Sequence, residues 1–219
     1  MTPNDSLKEL LSNESNNDVK FSEKQLKIVE AAIDSFSEKG FAATSTSEIA
    51  KKAGVAEGTI FRHYKTKKDL LFAIVKPLMT KFFGPIVAKD FAKDIFEVKY
   101  DNFEEFIRNL AGNRYQFVKR YRVVVKIFIQ EISFHDELKE PFIAVFKEHI
   151  YEEFRNTIIK FQEKGEIVDL PPDTIIRLII TTIAGTLLSM FLILPKKNWE
   201  YEAEMEYTIQ VLINGLKVR

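Results

Sequence analysis

The chain has no cysteine. That excludes a disulfide framework, a thiol nucleophile and a zinc–thiolate site, and it fits a reducing compartment. Histidine is nearly as scarce: His63, His135 and His149 are all there is, too scattered for the H-x-x-x-H spacing of a helical zinc site. Glycine and proline number 8 and 7 in 219 residues, leaving little room for β-hairpins. No G-x-S-x-G elbow or phosphate-cradling glycine loop occurs. Acid pairs such as Glu104-Glu105 and Glu152-Glu153 are adjacent along helices and do not face each other. No catalytic role, cofactor or metal is expected. Net charge is missing as well: 32 basic residues balance 32 acidic ones, which argues against a protein that coats nucleic acid indiscriminately. The first twenty residues lack a basic start followed by an apolar run, so they do not read as a signal peptide. They are rich in Asn, Ser and Glu, and the expectation is a flexible arm over 1–20 on a cytoplasmic protein.

What is present is apolar bulk on helical spacing. Hydrophobic residues make up 46% of the chain, 19 of them Phe, ample for a core. Leu26, Val29, Ile33 and Phe36 share one face of a helix over about 22–39, which Gly40 ends. Leu70, Leu71, Ile74, Leu78 and Phe82 mark another from 67, bent at Pro77 and stopped at Gly84-Pro85, the expected domain boundary. Helices follow near 102–121, 123–134 and 136–165, the last with Pro141 in its first turn. Two more span 172–194, closed by Pro195, and 200–216. The reading is all-α, with 21–83 as one domain and 84–219 as the other.

The most informative stretch is 45–68. Ser45 with Glu48 three residues on is a capping-box pattern that starts a helix. Ile49 and Ala53 lie four apart on one face, and Ala50 is small where a second helix must cross. Gly54 falls where the chain turns through positive φ. Val55 and Ile60 plug the angle between the two helices, and the outer face carries Thr59, Arg62, His63, Lys65, Lys67 and Lys68. Together these make a helix-turn-helix, a device for laying its second helix in a DNA groove. From 51 to 68 six basic residues stand against Glu57 alone, a local net charge of +5 on a neutral chain. That suits site-specific binding, in which phosphate contacts supply affinity and orientation.

Gly40-Phe41, Thr44, Ile49-Ala50, Ala53-Gly54-Val55, Gly58-Thr59, Phe61, His63-Tyr64 and Lys67 go further. Over 25–71 the chain resembles the N-terminal domain of the TetR family of transcriptional repressors. The resemblance implies an N-terminal three-helix DNA-binding domain and a C-terminal helical domain that binds ligand and dimerises. It implies that Ser45 and Thr46 touch phosphate and that Ser47 reads a base. Glu57 and Gly58 open the recognition helix at the base edges, while Thr59, His63 and Lys67 hold phosphates beside Arg62. Phe61 stands where the family usually has Tyr, and Ala56 replaces the usual Ser, which removes a helix cap worth about 1 kcal/mol. Tyr64 is read as packing.

Thr174 to Leu194 holds 21 residues with a single charge, the length of a membrane span. The membrane reading makes this a membrane-attached helical protein. The competing reading buries the helix, partly against a second copy of the chain. Arg177 in the first turn and Thr181-Thr182 inside the run favour burial. The resemblance implies that the last two long helices, within 174–216, form the seam of a homodimer. It also implies an inverted-repeat operator as partner, and release by a small effector. The wealth of Phe suggests that this effector is apolar or amphipathic. A third reading, a helical enzyme that carries a helix-turn-helix, lacks any catalytic motif.

Overall fold

The computed structural model describes residues 22–83, 85–194 and 199–218, with the backbone alone over 76–83, 85–87 and at 90. The expected arm over 1–20, Gly84 and the stop at Pro195 lie outside these residues. The described chain is helical, apart from a single antiparallel bridge between Ile167 and Lys217. It divides into two compact units: 22–83 with Tyr121–Phe142, and 85–120 with 143–218.

The first unit opens on α1, Glu23–Lys39, capped reciprocally by Ser22 and Gln25. Helix α1 closes at Gly40 with φ 81°. Then come α2 (Thr46–Ala53), α3 (Glu57–His63) and α4 (Lys67–Phe83). Thr66 and Asp69 cap α4 reciprocally: each side chain accepts from the other's backbone N–H, at 3.0 and 2.9 Å. Ile28, Val29, Phe36, Ile49, Ile60, Leu70 and Leu71 are sealed from water and form the core. Val124, Ile127, Phe128 and Leu138, from the distant segment Tyr121–Phe142, are buried in this unit too.

The second unit holds α5 (Pro85–Phe96) and most of α6 (Phe103–Glu131). The sequence reading passed over α5, although Pro85 occupies its first position, where a missing N–H costs nothing. The two helices expected near 102–134 are one, kinked at Tyr121 (φ −112°, ψ 21°), where the chain passes from one unit to the other. The expected long helix 136–165 is three pieces: α7 (Asp136–Phe146), a π-turn (Lys147–Tyr151) and α8 (Glu152–Glu163). Pro141 is not in a first turn but inside α7, where it has no N–H to return to the Glu137 carbonyl. Helix α9 (Pro172–Leu188) also ends in a π-turn, Ser189–Ile193, and α10 (Tyr201–Leu216) packs against it.

Helix α9 with its π-turn is long and apolar enough to cross a membrane by length and composition. Its Ile175, Ile176, Ile179, Ile183, Leu187 and Met190 instead face Phe106, Ile107 and Ile158 in the core of the second unit. A protein core claims one whole side of the helix, which lipid does not require. The membrane reading loses to burial on that ground. The other side stays open. Leu178 is exposed on α9, on α10 Tyr207, Val211 and Asn214 form an exposed stripe at helical spacing, and Val218 just beyond the helix is exposed too.

Candidate nucleic-acid interface

The geometry between α2 and α3 follows from a few residues. Gly54 adopts φ 69°, ψ 34°, a left-handed turn that costs a glycine no Cβ clash. Ile49, Ala50 and Ile60 are buried beneath the two helices, while Val55 is half-buried. With its back held this way, α3 shows its other side to water: Glu57, Gly58, Phe61, Arg62 and His63 are exposed, and Thr59 is half-buried. Phe61 leaves 46% of its surface in contact with water, a large ring with nothing packed over it. Ala56 gives α3 no side-chain cap. Gly58 has ordinary helical φ and nothing within 4 Å of where a Cβ would sit, so packing within the chain does not require a glycine there.

The capping box expected at Ser45 is half formed. Ser45 Oγ accepts from the Glu48 N–H at 3.1 Å, but the Glu48 carboxylate does not return to Ser45. It pairs with Lys39 at the end of α1 instead. Glu57, though exposed, is likewise engaged: its carboxylate accepts from the Thr46 hydroxyl at 2.6 Å, tying the front of α2 to the front of α3. Ser47 remains exposed.

The basic stripe separates into two sets. Lys52 reaches Asp34 at 3.4 Å and Glu38 at 3.7 Å on α1. Lys68 pairs with Glu137 at 2.5 Å and holds that carboxyl below its usual pKa. Lys67 is spent on the backbone. Its ammonium donates to the carbonyls of Phe41 (2.7 Å), Thr44 (2.8 Å) and Ala42 (3.4 Å) and sits 4.4 Å from the centre of the Phe41 ring. All three N–H groups are taken, so in this structure Lys67 ties down the α1–α2 turn rather than presenting a free charge to a phosphate. Lys51, Arg62 and Lys65 have no ion-pair partner among the described residues. Lys51 and Lys65 were picked out from sequence only as part of the stripe. The signal that frees them lies in their neighbours: Glu48 is taken by Lys39, and Asp69 by the cap of α4.

Tyr64 is buried, as its reading as packing requires, and burial pushes its hydroxyl up to about 12. From sequence His135 and His149 are expected at the surface or at helix ends; His135 does stand at the start of α7, but neither side chain is at the surface. His135 lies between the rings of Phe41 and Phe72, with centroids 5.7 and 5.8 Å away, and its Nε2 is 3.4 Å from Glu131. His149 sits in the π-turn after α7 with only 10% of its side chain exposed. Among the described residues no cluster of His, Asp and Glu could hold a metal.

A short, buried-backed helix that shows an apolar ring, a bare glycine and unpaired cations, set across a second helix by a left-handed glycine, defines a helix-turn-helix DNA-binding module. The profile of the family described as bacterial regulatory proteins, tetR family, matches residues 28–74, the stretch that runs from α1 into α4. The fatty acid metabolism regulator protein of Bacillus subtilis (strain 168) is 41% identical over 59 residues, 27% of this chain and 30% of that protein. The chain therefore spans less than a third of the length of that relative. Likeness in fold extends much further. A structure of the regulator FadR from Bacillus subtilis in complex with stearoyl-CoA aligns over 87% of this chain and 98% of its own, with TM-score 0.59 and 21% identity. A transcriptional regulator from Saccharomonospora viridis in complex with choline aligns over 91% and 100%, with TM-score 0.62 and 17% identity. The chain thus has the fold of TetR-family regulators, an N-terminal helix-turn-helix followed by a helical C-terminal region.

Proposed function

We propose that this chain is a dimeric, sequence-specific transcriptional repressor of the cytoplasm, which a small apolar or amphipathic ligand releases from an inverted-repeat operator. The observation that carries the reading is the outer face of α3, exposed along its length with Arg62, Lys51 and Lys65 unpaired around it. Arg62, Lys51 and Lys65 supply the charge for phosphates, together with Ser45, Thr59 and His63. Ser47, Gly58 and Phe61 face the bases. Lys67 acts by fixing the turn that presents α2. Thr46 and Glu57 bind each other in the free protein, so contact with DNA uses them only after that bond opens.

One recognition helix reads too few base pairs alone, and half-sites lie about 34–36 Å apart, so two copies are needed. The exposed stripe Tyr207, Val211 and Asn214 on α10, with Leu178 on α9, is the surface for the second copy. The ligand class rests on the Phe-rich second unit, and the stearoyl-CoA held by the FadR structure supports it.

The test is anisotropy titration against DNA flanking the protein's own gene and against scrambled DNA. Three free cations per protomer engage about six phosphates per dimer, so affinity falls about 10³-fold between 50 and 200 mM salt. Ser47→Ala is expected to change which base is preferred, without altering the salt slope. Equal affinity for scrambled DNA defeats the proposal.

A further inference from the structure

Three arginine and lysine side chains on the second-unit stretch of α6 show what this fold does with cations. Arg108 makes a forked pair with Glu206 of α10, at 2.5 and 2.8 Å, and also holds Glu104 at 2.7 Å. Lys119 has Glu202 at 3.6 Å. Arg114 lies between them and has no carboxylate within ion-pair distance among the described residues. Among the described residues its hydrogen bonds go from Nε (3.1 Å) and Nη2 (2.5 Å) to one atom, Oδ1 of its chain neighbour Asn113. Three of its five N–H groups have no acceptor among the described residues. The guanidinium is nonetheless desolvated, enough that burial pulls its pKa down to about 10, so it stays charged at neutral pH.

Its surroundings are aromatic. The guanidinium carbon lies 4.1 Å from the centre of the Phe91 ring on α5 and 5.2 Å from that of Phe117. A guanidinium stacked on a ring keeps its N–H groups in its own plane, where they form a fork that matches a carboxylate or a phosphate. Arg114 as a residue is half-buried rather than sealed. A desolvated charge without a counter-ion is costly, and Arg108 shows that this helix can supply carboxylates where a cation is structural.

We propose that Arg114 is the receptor for an oxyanion on an apolar tail, with the Phe91 and Phe117 rings against the first carbons of that tail. This rests on the reading of the chain as a ligand-responsive regulator and adds the charge of the ligand, which the fold leaves open: the two structural neighbours described above hold one anionic ligand and one cationic one. A carboxylate and a phosphate share the chemistry that the fork recognises.

The test is calorimetric titration of the full chain with laurate, dodecyl phosphate and dodecanol, for the wild type, Arg114→Gln and Arg114→Lys. The expectation is that at least one anion binds about 10- to 100-fold more tightly than the alcohol, the range of a charge-assisted hydrogen-bond pair. Tight laurate identifies a carboxylate; dodecyl phosphate alone identifies phosphate. Arg114→Gln should bring the anion to the affinity of the alcohol and leave the alcohol unchanged. Arg114→Lys, which keeps the charge but not the fork, should fall between, and it carries the test if the Gln variant does not fold. The proposal is overturned if the alcohol matches the anions in the wild type, if both variants hold the anion at wild-type affinity, or if nothing binds. DNA titration of the ligand-free wild type is read separately, since loss of operator binding there would sink the proposed function and leave the Arg114 result standing.

Discussion

Lys65 and Lys67 stand two residues apart and are used in opposite ways. Lys65 has no ion-pair partner, whereas the Lys67 ammonium is shared among three carbonyls and a ring. Lys65→Ala is therefore expected to leave the melting temperature unchanged and to reduce the salt slope of DNA binding by about one unit per half-site. Lys67→Ala should cost about 2 kcal/mol of stability, because hydrogen bonds from a charged donor are lost at partly buried carbonyls. Thermal melts beside salt-dependent titrations separate the two. If Lys67→Ala melts like the wild type, Lys67 is a phosphate ligand and not a strut. At this scale the sequence was legible wherever a residue answers to near neighbours. Gly54 was read from its place after an apolar face, Ala56 from a missing cap and Ile60 from its spacing. Lys67, Lys68 and Glu48 were not, because their partners lie 9 to 69 residues away and nothing local records them.

Among the helices, α9 and α10 have two sides with different fates. Leu187 faces the core of its own chain, although a charge at the middle of 174–194 looks from sequence like a way to split a dimer. The period of an apolar helix shows that it has a buried side but not whose chain buries it. Leu187→Glu should unfold the second unit, since an unpaired charge is placed among Ile158, Ile183 and their neighbours. Val211→Glu, on the stripe that is 68% exposed at that position, should leave the protomer folded and give monomers in light scattering. A folded dimer from Val211→Glu would remove α10 from the seam. Elements were misjudged where a break was local to the backbone. The π-turns at Lys147–Tyr151 and Ser189–Ile193 carry no Gly or Pro to mark them. The kink at Tyr121, by contrast, was read as a gap between two helices in nearly the right place.

For the whole molecule, the proposed repression and release are one linked equilibrium. A ligand lowers DNA affinity only to the extent that it binds the DNA-incompetent state more tightly, and DNA weakens ligand binding by the same factor. The expected coupling is about 1–3 kcal/mol, a shift of roughly 5- to 150-fold in either direction. Titrating ligand in the presence and absence of operator measures one arm, and titrating operator with and without ligand measures the other. Unequal factors would mean that more is bound than the scheme contains. Two zero factors would make the chain a constitutive binder.

The first unit is not one stretch of chain. Lys126 Nζ donates to the Ser37 carbonyl at 2.7 Å, Glu137 holds Lys68, and His135 is wedged between Phe41 and Phe72. These three contacts all cross from Tyr121–Phe142 to 22–83. A gene fragment cut after residue 83 would strip that cover away and lay Phe41 and Phe72 open. For anyone building hybrid regulators, the portable part is therefore discontinuous. Grafting a new sensor onto this unit means keeping two separated stretches and cutting inside α6 near Tyr121 and inside α7 near Phe142, rather than joining two genes end to end.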